Sequence, residues 1–394
     1  MNLHTQQFRN KDAAKARLFS MLIALSASLA SNAASPKETT VYFGTYARGE
    51  QSGIYQSRLD TRTGQLSDPV LAASAVRPGF LVPHPSGKYL YSVGEKPGHA
   101  GKDADSVCAF EIAPDTGKLS FLNARPGGGN EPCHVSMDAE GKHLFSAQYG
   151  GGSCSVYPIA ANGGLEPRSS FHQHKGASKV DPKRQMDPHA HSINLDPSNR
   201  YAMVVDLGKD QVLIYRFDAE SGTLTPNEPA YVETAPGGGP RHFDFHPSGK
   251  FAYVNLEMAS KITAFDFDET SGVLTPTRTV STLPPDFAGK SSGAEIRVSD
   301  DGLFLYASNR GHDSIAIFSI DQGTGELTAL GHESTRGKTP RHFNIDPSGK
   351  FLIVANQNSN NVTVFAIDPS TGQLSHTGNT VEVPKPVCVV FSSL

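Results

Sequence analysis

Residues 241–280 read RHFDFHPSGKFAYVNLEMASKITAFDFDETSGVLTPTRTV and contain four short runs rich in Phe, Tyr, Val and Ile. Such runs, when they are about four to eight residues long and bounded by turn signals, are typical of β-strands. The segments HPSGK and DETSG mark two of the turns between the runs. The stretch therefore predicts four antiparallel strands, which is the content of one β-propeller blade.

Both turn signals recur along the whole chain. The turn after the third strand follows the pattern Asp-x-x-Thr/Ser-Gly-x-Leu, with glycine at positions 64, 117, 164, 222, 272, 325 and 372. The turn after the first strand has six copies, namely HPSGKY, DAEGKH, DPSNRY, HPSGKF, SDDGLF and DPSGKF. Glycine is expected in such turns because a tight hairpin requires a positive φ. Repeats of this kind, spaced about 50 residues apart, indicate a repeated β architecture.

The two ends of the chain together supply the remaining blade. Residues 40–46 and 53–60 form strand-like runs before the first turn, and residues 386–394, PVCVVFSSL, resemble an innermost strand without later partners. We therefore predict an all-β, seven-bladed β-propeller over residues 40–394, as a single domain. In its seventh blade the C-terminal strand pairs with the N-terminal strands, which removes exposed sheet edges. The chain has no tryptophan, which argues against the Trp-Asp kind of repeat.

The first residues are typical of a targeting segment. Residues 1–17 hold four basic residues and one acid, residues 18–29 are mostly apolar, and small residues follow up to position 33. This is the layout of a secretory signal peptide, and the apolar run is too short to span a bilayer. We expect cleavage after residue 33 and a periplasmic or secreted protein without a membrane partner.

Charge and cysteine content exclude two classes of protein. The 394-residue chain has a formal net charge of −4, whereas a nucleic-acid-binding surface normally carries an excess of basic residues. The four cysteines, Cys108, Cys133, Cys154 and Cys388, are too few for a disulfide scaffold. All four fall in strand-like runs, and we interpret them as small buried apolar residues. We therefore expect neither a nucleic-acid partner nor a disulfide framework.

Polar residues recur at one end of the predicted blades. Antiparallel pairing places the start of an innermost strand and the end of the second strand at the same mouth of the central channel. The strand starts carry Cys133-His134, His191-Ser192, Arg241-His242, Ala294-Glu295 and Arg341-His342. The strand ends carry Glu95, Gln148-Tyr149, Asp206, Glu257, Asn309-Arg310 and Asn356-Gln357.

Two interpretations of this polar set are open. The residues can form a structural ring of ion pairs that braces the blades, since buried charges are normally paired. They can also converge on a pocket for an anionic small molecule, because arginine binds carboxylate and phosphate groups, and histidine and glutamate are the usual acid–base groups. The basic, histidine-rich segment 166–190 is expected to be a loop at the same mouth. Its His172 and His174 lack zinc-type partners, so no metal site is predicted.

Five longer segments carry a family resemblance. They are PCHVSMD (132–138), PHAHSINLDPSNRYAMVVDLG (188–208), GPRHFDFHPSGKFAYVNLE (239–257), GAEIRVSDDGLFLYASNRGHDSI (293–315) and TPRHFNIDPSGKFLIVANQ (339–357). With them the chain, over about residues 40–394, resembles the seven-bladed lactonase family. That family includes cycloisomerase-type 6-phosphogluconolactonases and the fungal carboxymuconate lactonizing enzyme.

The resemblance implies lactone chemistry with His191, Arg241, Glu257 and Arg310 as catalytic residues. His191 or Glu257 would activate water, and the two arginines would hold the substrate anion and the developing oxyanion. Neither a metal nor another cofactor is implied. We expect six further residues of the polar set to contact the substrate: His134, Tyr149, His242, Glu295, Arg341 and His342.

The expected activity is hydrolysis of a sugar lactone, a small anionic substrate, by a 6-phosphogluconolactonase-like ester hydrolase. The expected export does not fit the phosphorylated substrate, because 6-phosphogluconolactone is made in the cytoplasm. Export therefore favours an unphosphorylated sugar lactone or another anionic lactone. The alternatives are a muconate-type lactonizing cycloisomerase and a non-catalytic exported propeller that acts as a binding module. Fold alone does not separate them, but a scaffold has no need of Glu257 and Arg310 facing one mouth.

Overall fold

Short antiparallel strands make up nearly all the regular structure of the computed structural model, which describes residues 38–95 and 105–392. One 3-10 helix, Gly49–Gln51, interrupts them. In chain order the strands are β1 (Glu38–Thr45), β2 (Gly53–Asp60), β3 (Gln65–Leu66), β4 (Val70–Ser74), β5 (Leu81–Pro83), β6 (Tyr89–Glu95), β7 (Asp105–Ile112), β8 (Leu119–Pro126), β9 (Pro132–Met137), β10 (His143–Gln148), β11 (Ser153–Pro158), β12 (Ser170–Gln173), β13 (Ala190–Leu195), β14 (Tyr201–Asp206), β15 (Gln211–Asp218), β16 (Thr223–Glu233), β17 (Pro240–Phe245), β18 (Phe251–Leu256), β19 (Lys261–Asp268), β20 (Val273–Ser281), β21 (Ser292–Val298), β22 (Phe304–Arg310), β23 (Ser314–Ile320), β24 (Leu327–Ser334), β25 (Pro340–Ile345), β26 (Phe351–Asn356), β27 (Asn361–Ile367), β28 (Leu374–Glu382) and β29 (Pro386–Phe391).

The strands form seven sheets, which are the blades of a propeller. Blades 1 to 6 are β5–β8, β9–β12, β13–β16, β17–β20, β21–β24 and β25–β28, each in sequence order. Blade 7 has the order β29-β1-β2-β3, and β4 also pairs with β2. The first strands of neighbouring blades contact one another in a closed ring, from β5 through β9, β13, β17, β21 and β25 to β29 and back to β5. The predicted seven-bladed propeller is therefore confirmed.

The predicted closure of blade 7 is also confirmed. Strand β29 pairs antiparallel with β1, with Phe391 opposite Val41 and Val389 opposite Phe43. The Ser392 amide then donates to the Thr40 carbonyl at 2.9 Å. Because the last strand of the chain is the innermost strand of a blade that begins at the N-terminus, the ring has no open edge where the chain ends meet.

The two recurrent turn signals contact each other between neighbouring blades. Gly325 has a φ of 68°, and a Cβ atom there would lie 2.6 Å from the ring of Phe251 in the preceding blade. The Tyr253 hydroxyl donates to the Gly325 carbonyl at 2.9 Å. Glycine is thus required both for backbone conformation and for space. In the third copy of this turn the residue with positive φ is Gly163 rather than the expected Gly164, since the turn there is one residue shorter before its glycine.

Apolar side chains from adjacent blades form the core. One cluster combines Met203 and Val205 of blade 3 with Phe243 and Val254 of blade 4, all nearly or fully buried. Among the described residues, no helix has the length and hydrophobicity that a membrane crossing requires. The expected signal peptide, residues 1–33, lies outside the described residues.

Candidate active site

The innermost strands of blades 2, 3, 4 and 6 carry a β-bulge near their first residue. In blade 4, Pro240 lies opposite Leu256 and His242 opposite Asn255, so Arg241 is an extra residue without a partner. A bulge changes the direction of a side chain relative to the regular alternation of a strand. The equivalent extra residues in blades 2, 3 and 6 are Cys133, His191 and Arg341.

These four bulged residues line one cavity at the predicted mouth of the channel. The cavity has a volume of about 340 Å³. Its arginines outnumber its glutamates, which makes it electropositive. The lining residues are Tyr46, Arg77, Glu131, Pro132, Cys133, Tyr149, Arg184, His191, Arg241, Glu257, Arg310 and Arg341.

The carboxylate of Glu257 lies at the centre of an arginine cluster. Its Oε2 is 3.0 Å from Arg241 Nη1 and 3.0 Å from Arg310 Nη2, and its Oε1 is 2.8 Å from Arg184 Nη2. Burial alone would raise the pKa of Glu257, but the charges of Arg310 and Arg241 outweigh burial and hold this pKa well below its usual value. Glu257 is therefore a permanent anion near neutral pH, and it neutralises only part of the surrounding positive charge.

His191 contributes an uncharged imidazole to the same cavity. Burial, together with the nearby charge of Arg241, holds the pKa of His191 well below its usual value. Its Nε2 is hydrogen-bonded to Arg241 Nη1 and lies 3.9 Å from Glu257 Oε2. Because a guanidinium only donates, Nε2 is the acceptor, and the ring proton is on Nδ1, which faces Cys133 Sγ at 3.7 Å. The basic nitrogen of His191 thus faces the arginine cluster.

The loop expected at this mouth does lie there. Arg184 from the 166–190 segment donates to the Tyr149 hydroxyl at 3.0 Å as well as to Glu257. The fully buried amide of its neighbour Gln185 donates to Leu207 O at 2.9 Å and to Asp210 Oδ1 at 2.7 Å. The sequence indicated the basic loop but not Arg184, because contacts within the folded loop and with blade 3, such as those of Gln185, determine which basic residue reaches the site.

Four of the six expected substrate contacts lie one layer deeper in the channel. Glu295 Oε2 accepts from His242 Nδ1 at 2.8 Å and lies 3.2 Å from His342 Nε2. The ring of Phe80 packs against His134 and His342, with centroids 4.3 and 5.3 Å apart. None of these four residues lines the upper cavity. The three histidines directly follow the bulged residue, so their side chains have the opposite direction, and Glu295 lies within the irregular start of β21. Tyr149 and Arg341 do line it.

The cysteines follow the expectation with one exception. Cys154 and Cys388 are buried, as predicted, whereas Cys133 is partly exposed and lines the cavity. Cys133 and Cys154 lie on β9 and β11, with β10 between them. Burial and nearby Arg241 have opposite effects on the Cys133 thiol, and burial dominates, raising its pKa to about 12. The bulge at the start of β9 explains why this thiol faces the cavity.

The two histidines of the inserted segment have other partners. His172 Nε2 donates to the Leu224 carbonyl at 2.9 Å, and His174 Nδ1 lies 2.6 Å from Asp206 Oδ2. Within residues 38–95 and 105–392, no group of three or more His, Cys, Asp or Glu side chains is placed to hold a metal ion.

With this geometry established, comparison with known proteins gives the family. The sequence model of the family of seven-bladed β-propeller lactonases matches residues 40–391 of this chain. The chain belongs to this lactonase family. The family resemblance of the five sequence segments is thereby confirmed.

Relatives of this lactonase-family chain are similar over most of their length. A 6-phosphogluconolactonase of Bacillus subtilis (strain 168) is 39% identical over 350 residues, covering 89% of this chain and 97% of the relative. A 6-phosphogluconolactonase of Formosa agariphila is 35% identical over 301 residues, covering 75% and 83%. Among solved structures, the periplasmic gluconolactonase of Pseudomonas aeruginosa matches with a TM-score of 0.84 and 34% identity, covering 90% of this chain and 99% of that one.

Proposed function

We propose that this chain is a metal-independent lactonase that hydrolyses the lactone of a sugar acid. The names of its relatives, 6-phosphogluconolactonase and gluconolactonase, support this proposal. The observation that carries the proposal is the uncharged His191 imidazole with its acceptor nitrogen beside Arg241 and Glu257. A neutral imidazole next to fixed cations combines a base for water with groups that stabilise an oxyanion.

The proposed reaction begins with attack of water on the lactone carbonyl carbon. Arg241 Nη1, which donates to His191 Nε2 in the free protein, turns to the carbonyl oxygen as the substrate binds. His191 Nε2 is then free to take one proton from the water, and the carbonyl oxygen becomes an oxyanion held by Arg241 and Arg310. Both arginines line the cavity, and each guanidinium carries five N–H donors, more than its contact with Glu257 occupies, so each retains donor capacity for a substrate oxygen. Collapse of the tetrahedral intermediate breaks the ring C–O bond, and the imidazolium returns the proton to the leaving alkoxide. The product is the open hydroxy acid.

In this proposal Glu257 is not the base. Protonation of Glu257 would remove the anion that three arginines share, which opposes its use as a proton acceptor. Its role is to hold Arg241 and Arg310 in position. Because the two guanidinium groups are already fixed once the substrate is bound, they need not reorganise during the reaction. The lower residues His134, His242, Glu295 and His342, which the sequence suggested as substrate contacts, are assigned a supporting role beneath this cluster.

Acid release from glucono-δ-lactone and 6-phosphoglucono-δ-lactone tests the proposal, with chelator present and with spontaneous ring opening subtracted. We expect turnover by residues 34–394 that persists in chelator and falls about 100-fold or more in Arg241→Gln, since loss of one oxyanion donor has that effect. Arg278→Gln is the matched control, because Arg278 is exposed on β20. Folded protein that leaves both lactones at the background rate would overturn the proposal.

Two other activities are distinguished in the same assay. A muconate-type cycloisomerase would interconvert a muconolactone and its open diene acid without consuming water, which absorbance of the diene measures. A non-catalytic binding module would show no turnover with any of these lactones. We also infer that residues 1–33 direct export. The full chain should accumulate outside the cytoplasm, and a chain that lacks residues 2–33 should remain in the cytoplasm.

A further inference from the structure

Positive charge in the cavity exceeds what its carboxylates neutralise. Five arginines and two glutamates line it. Glu257 is shared by Arg184, Arg241 and Arg310. The second carboxylate, Glu131, is 3.9 Å from Arg77, and both side chains are about half exposed, so this pair is weak. The fifth arginine, Arg341, has no carboxylate within 4.0 Å in the described part of the chain.

Arg341 is nevertheless held in a defined place. It is the bulged residue of β25, and its guanidinium carbon lies 5.3 Å from the centre of the Tyr46 ring. The ring supports the cation without cancelling its charge. Burial lowers the pKa of Arg241, and the charge of Arg341 lowers it further. The positive field of Arg341 therefore extends across the cavity to the catalytic cluster.

Two further lining residues of the cavity have strained backbone. Arg77 and Glu131 both have left-handed backbone conformations, with φ of 52° and 53°. Non-glycine residues adopt this region at a cost, and such residues cluster at ligand sites. Both face the cavity, Arg77 from the connection between blades 7 and 1 and Glu131 from the connection before β9. Their weak pairing leaves Arg77 able to turn towards a bound anion.

We propose that Arg341, supported by Tyr46 and joined by Arg77, forms a second anion subsite that binds a negatively charged group of the substrate distant from the lactone ring. In the ring of blades, Arg341, Tyr46 and Arg77 belong to blades 6 and 7 and the connection to blade 1, whereas His191 and Glu257 belong to blades 3 and 4. A substrate whose ring lies at His191 and whose far end crosses the cavity reaches Arg341. The distant group is a phosphate ester or a carboxylate, and the inference rests on the proposed lactonase function.

Binding of the open-chain products tests the subsite without requiring catalysis. Titration calorimetry would compare gluconate, 6-phosphogluconate and glucarate, which differ at the far end by a hydroxyl, a phosphate and a carboxylate. We expect at least one of the latter two to bind about tenfold or more tightly than gluconate, the effect of a hydrogen bond to a charged group. Arg341→Gln should abolish most of this preference, and Arg278→Gln should retain it.

Each outcome of this titration decides the inference. Preference for 6-phosphogluconate identifies a phosphate subsite, and preference for glucarate alone identifies a carboxylate subsite. Equal binding of all three compounds, or a preference that persists in Arg341→Gln, overturns the proposal. Thermal melting should show that Arg341→Gln is folded, because the substitution removes an unpaired cation from a crowded positive cluster.

Kinetics separates failure of the subsite from failure of the proposed function. In Arg341→Gln, kcat/KM for the phosphorylated lactone should fall about tenfold more than kcat/KM for glucono-δ-lactone. Arg77→Gln should have a smaller effect, about two- to fivefold, since Arg77 lies at the exposed rim. If the protein hydrolyses neither lactone but still binds one of the doubly charged products through Arg341, the lactonase proposal fails while the anion subsite stands.

Discussion

Two polar layers lie one below the other in the channel, and each is centred on a buried glutamate. In the upper layer three arginines contact Glu257 within 3.0 Å. In the lower layer Glu295 contacts His242 and His342, and Arg297 lies farther away, at 3.6 Å. The upper layer faces a cavity, whereas the ring of Phe80 packs against histidines of the lower layer.

The difference between the layers follows from their cations. Arginine remains charged when buried, so the upper layer retains positive charge for an anionic substrate. Burial lowers the pKa of His342 to about 3 and holds that of His242 well below its usual value. The lower histidines are thus neutral. His242 donates to Glu295, and His342 Nε2 lies 3.2 Å from the same carboxylate oxygen, without either histidine adding charge. We interpret the upper layer as the reactive site and the lower layer as the brace between inner strands.

Glu257→Gln should have the largest effect of the substitutions that test this comparison. It leaves three arginines around a neutral amide, and we expect kcat/KM for the lactone to fall about 1,000-fold because the oxyanion donors lose their positioning. Unfolding in urea should also show a loss of about 3 kcal/mol, since a buried ion cluster loses its anion. If the variant retains nearly wild-type kcat/KM, Glu257 does not position the oxyanion donors.

His191→Ala should come next in magnitude. Loss of the proposed base should lower kcat about 100-fold or more. Added imidazole should restore part of the rate, which a purely structural histidine would not show; protein with imidazole is compared against imidazole alone. A lower kcat that added imidazole does not restore, together with an equally large increase in KM, would contradict the assignment of His191 as the base.

Glu295→Gln should separate stability from activity. The free energy of unfolding should fall by about 2 kcal/mol, because the lower histidines lose a charged acceptor. We expect kcat/KM to fall less than about tenfold, since Glu295 does not line the cavity. If the rate falls as far as in Glu257→Gln, the lower layer takes part in the reaction and the comparison of the two layers is wrong.

The smallest expected effect is the pH dependence of the wild-type rate. Burial and Arg241 hold the pKa of His191 well below its usual value near 6.5, so the free base persists as pH falls through 6.5. After correction for spontaneous opening, kcat/KM should change less than about twofold between pH 7.5 and 6.5, and its acid limb should lie lower. A midpoint at pH 6.5 or above would show that His191 has an ordinary pKa or is not the base.

Patterns of a few residues were enough to predict the propeller. The Asp-x-x-Thr/Ser-Gly turns and the Pro-Ser-Gly-Lys turns are local, and each requires a particular backbone conformation, as the φ of 68° at Gly325 illustrates. The strand content between them determines antiparallel blades, and the number of copies determines how many. Closure by residues 386–391 followed from counting the repeats, because the last strand of the chain would otherwise be an innermost strand without a partner.

The same patterns placed polar residues in pairs at the strand starts but did not say which member of each pair faces the cavity. A bulge of one residue makes that choice, since it places Arg241 and Arg341 in the upper layer and His242 and His342 in the lower. Arg184 likewise reaches Glu257 from a loop that is fixed by contacts such as those of Gln185 with blade 3. Local sequence signals were thus enough to predict the fold and the end of the channel where the site lies. The register shifts and long-range contacts that arrange the site depend on hydrogen bonds between segments distant in sequence, and only the folded chain defines these.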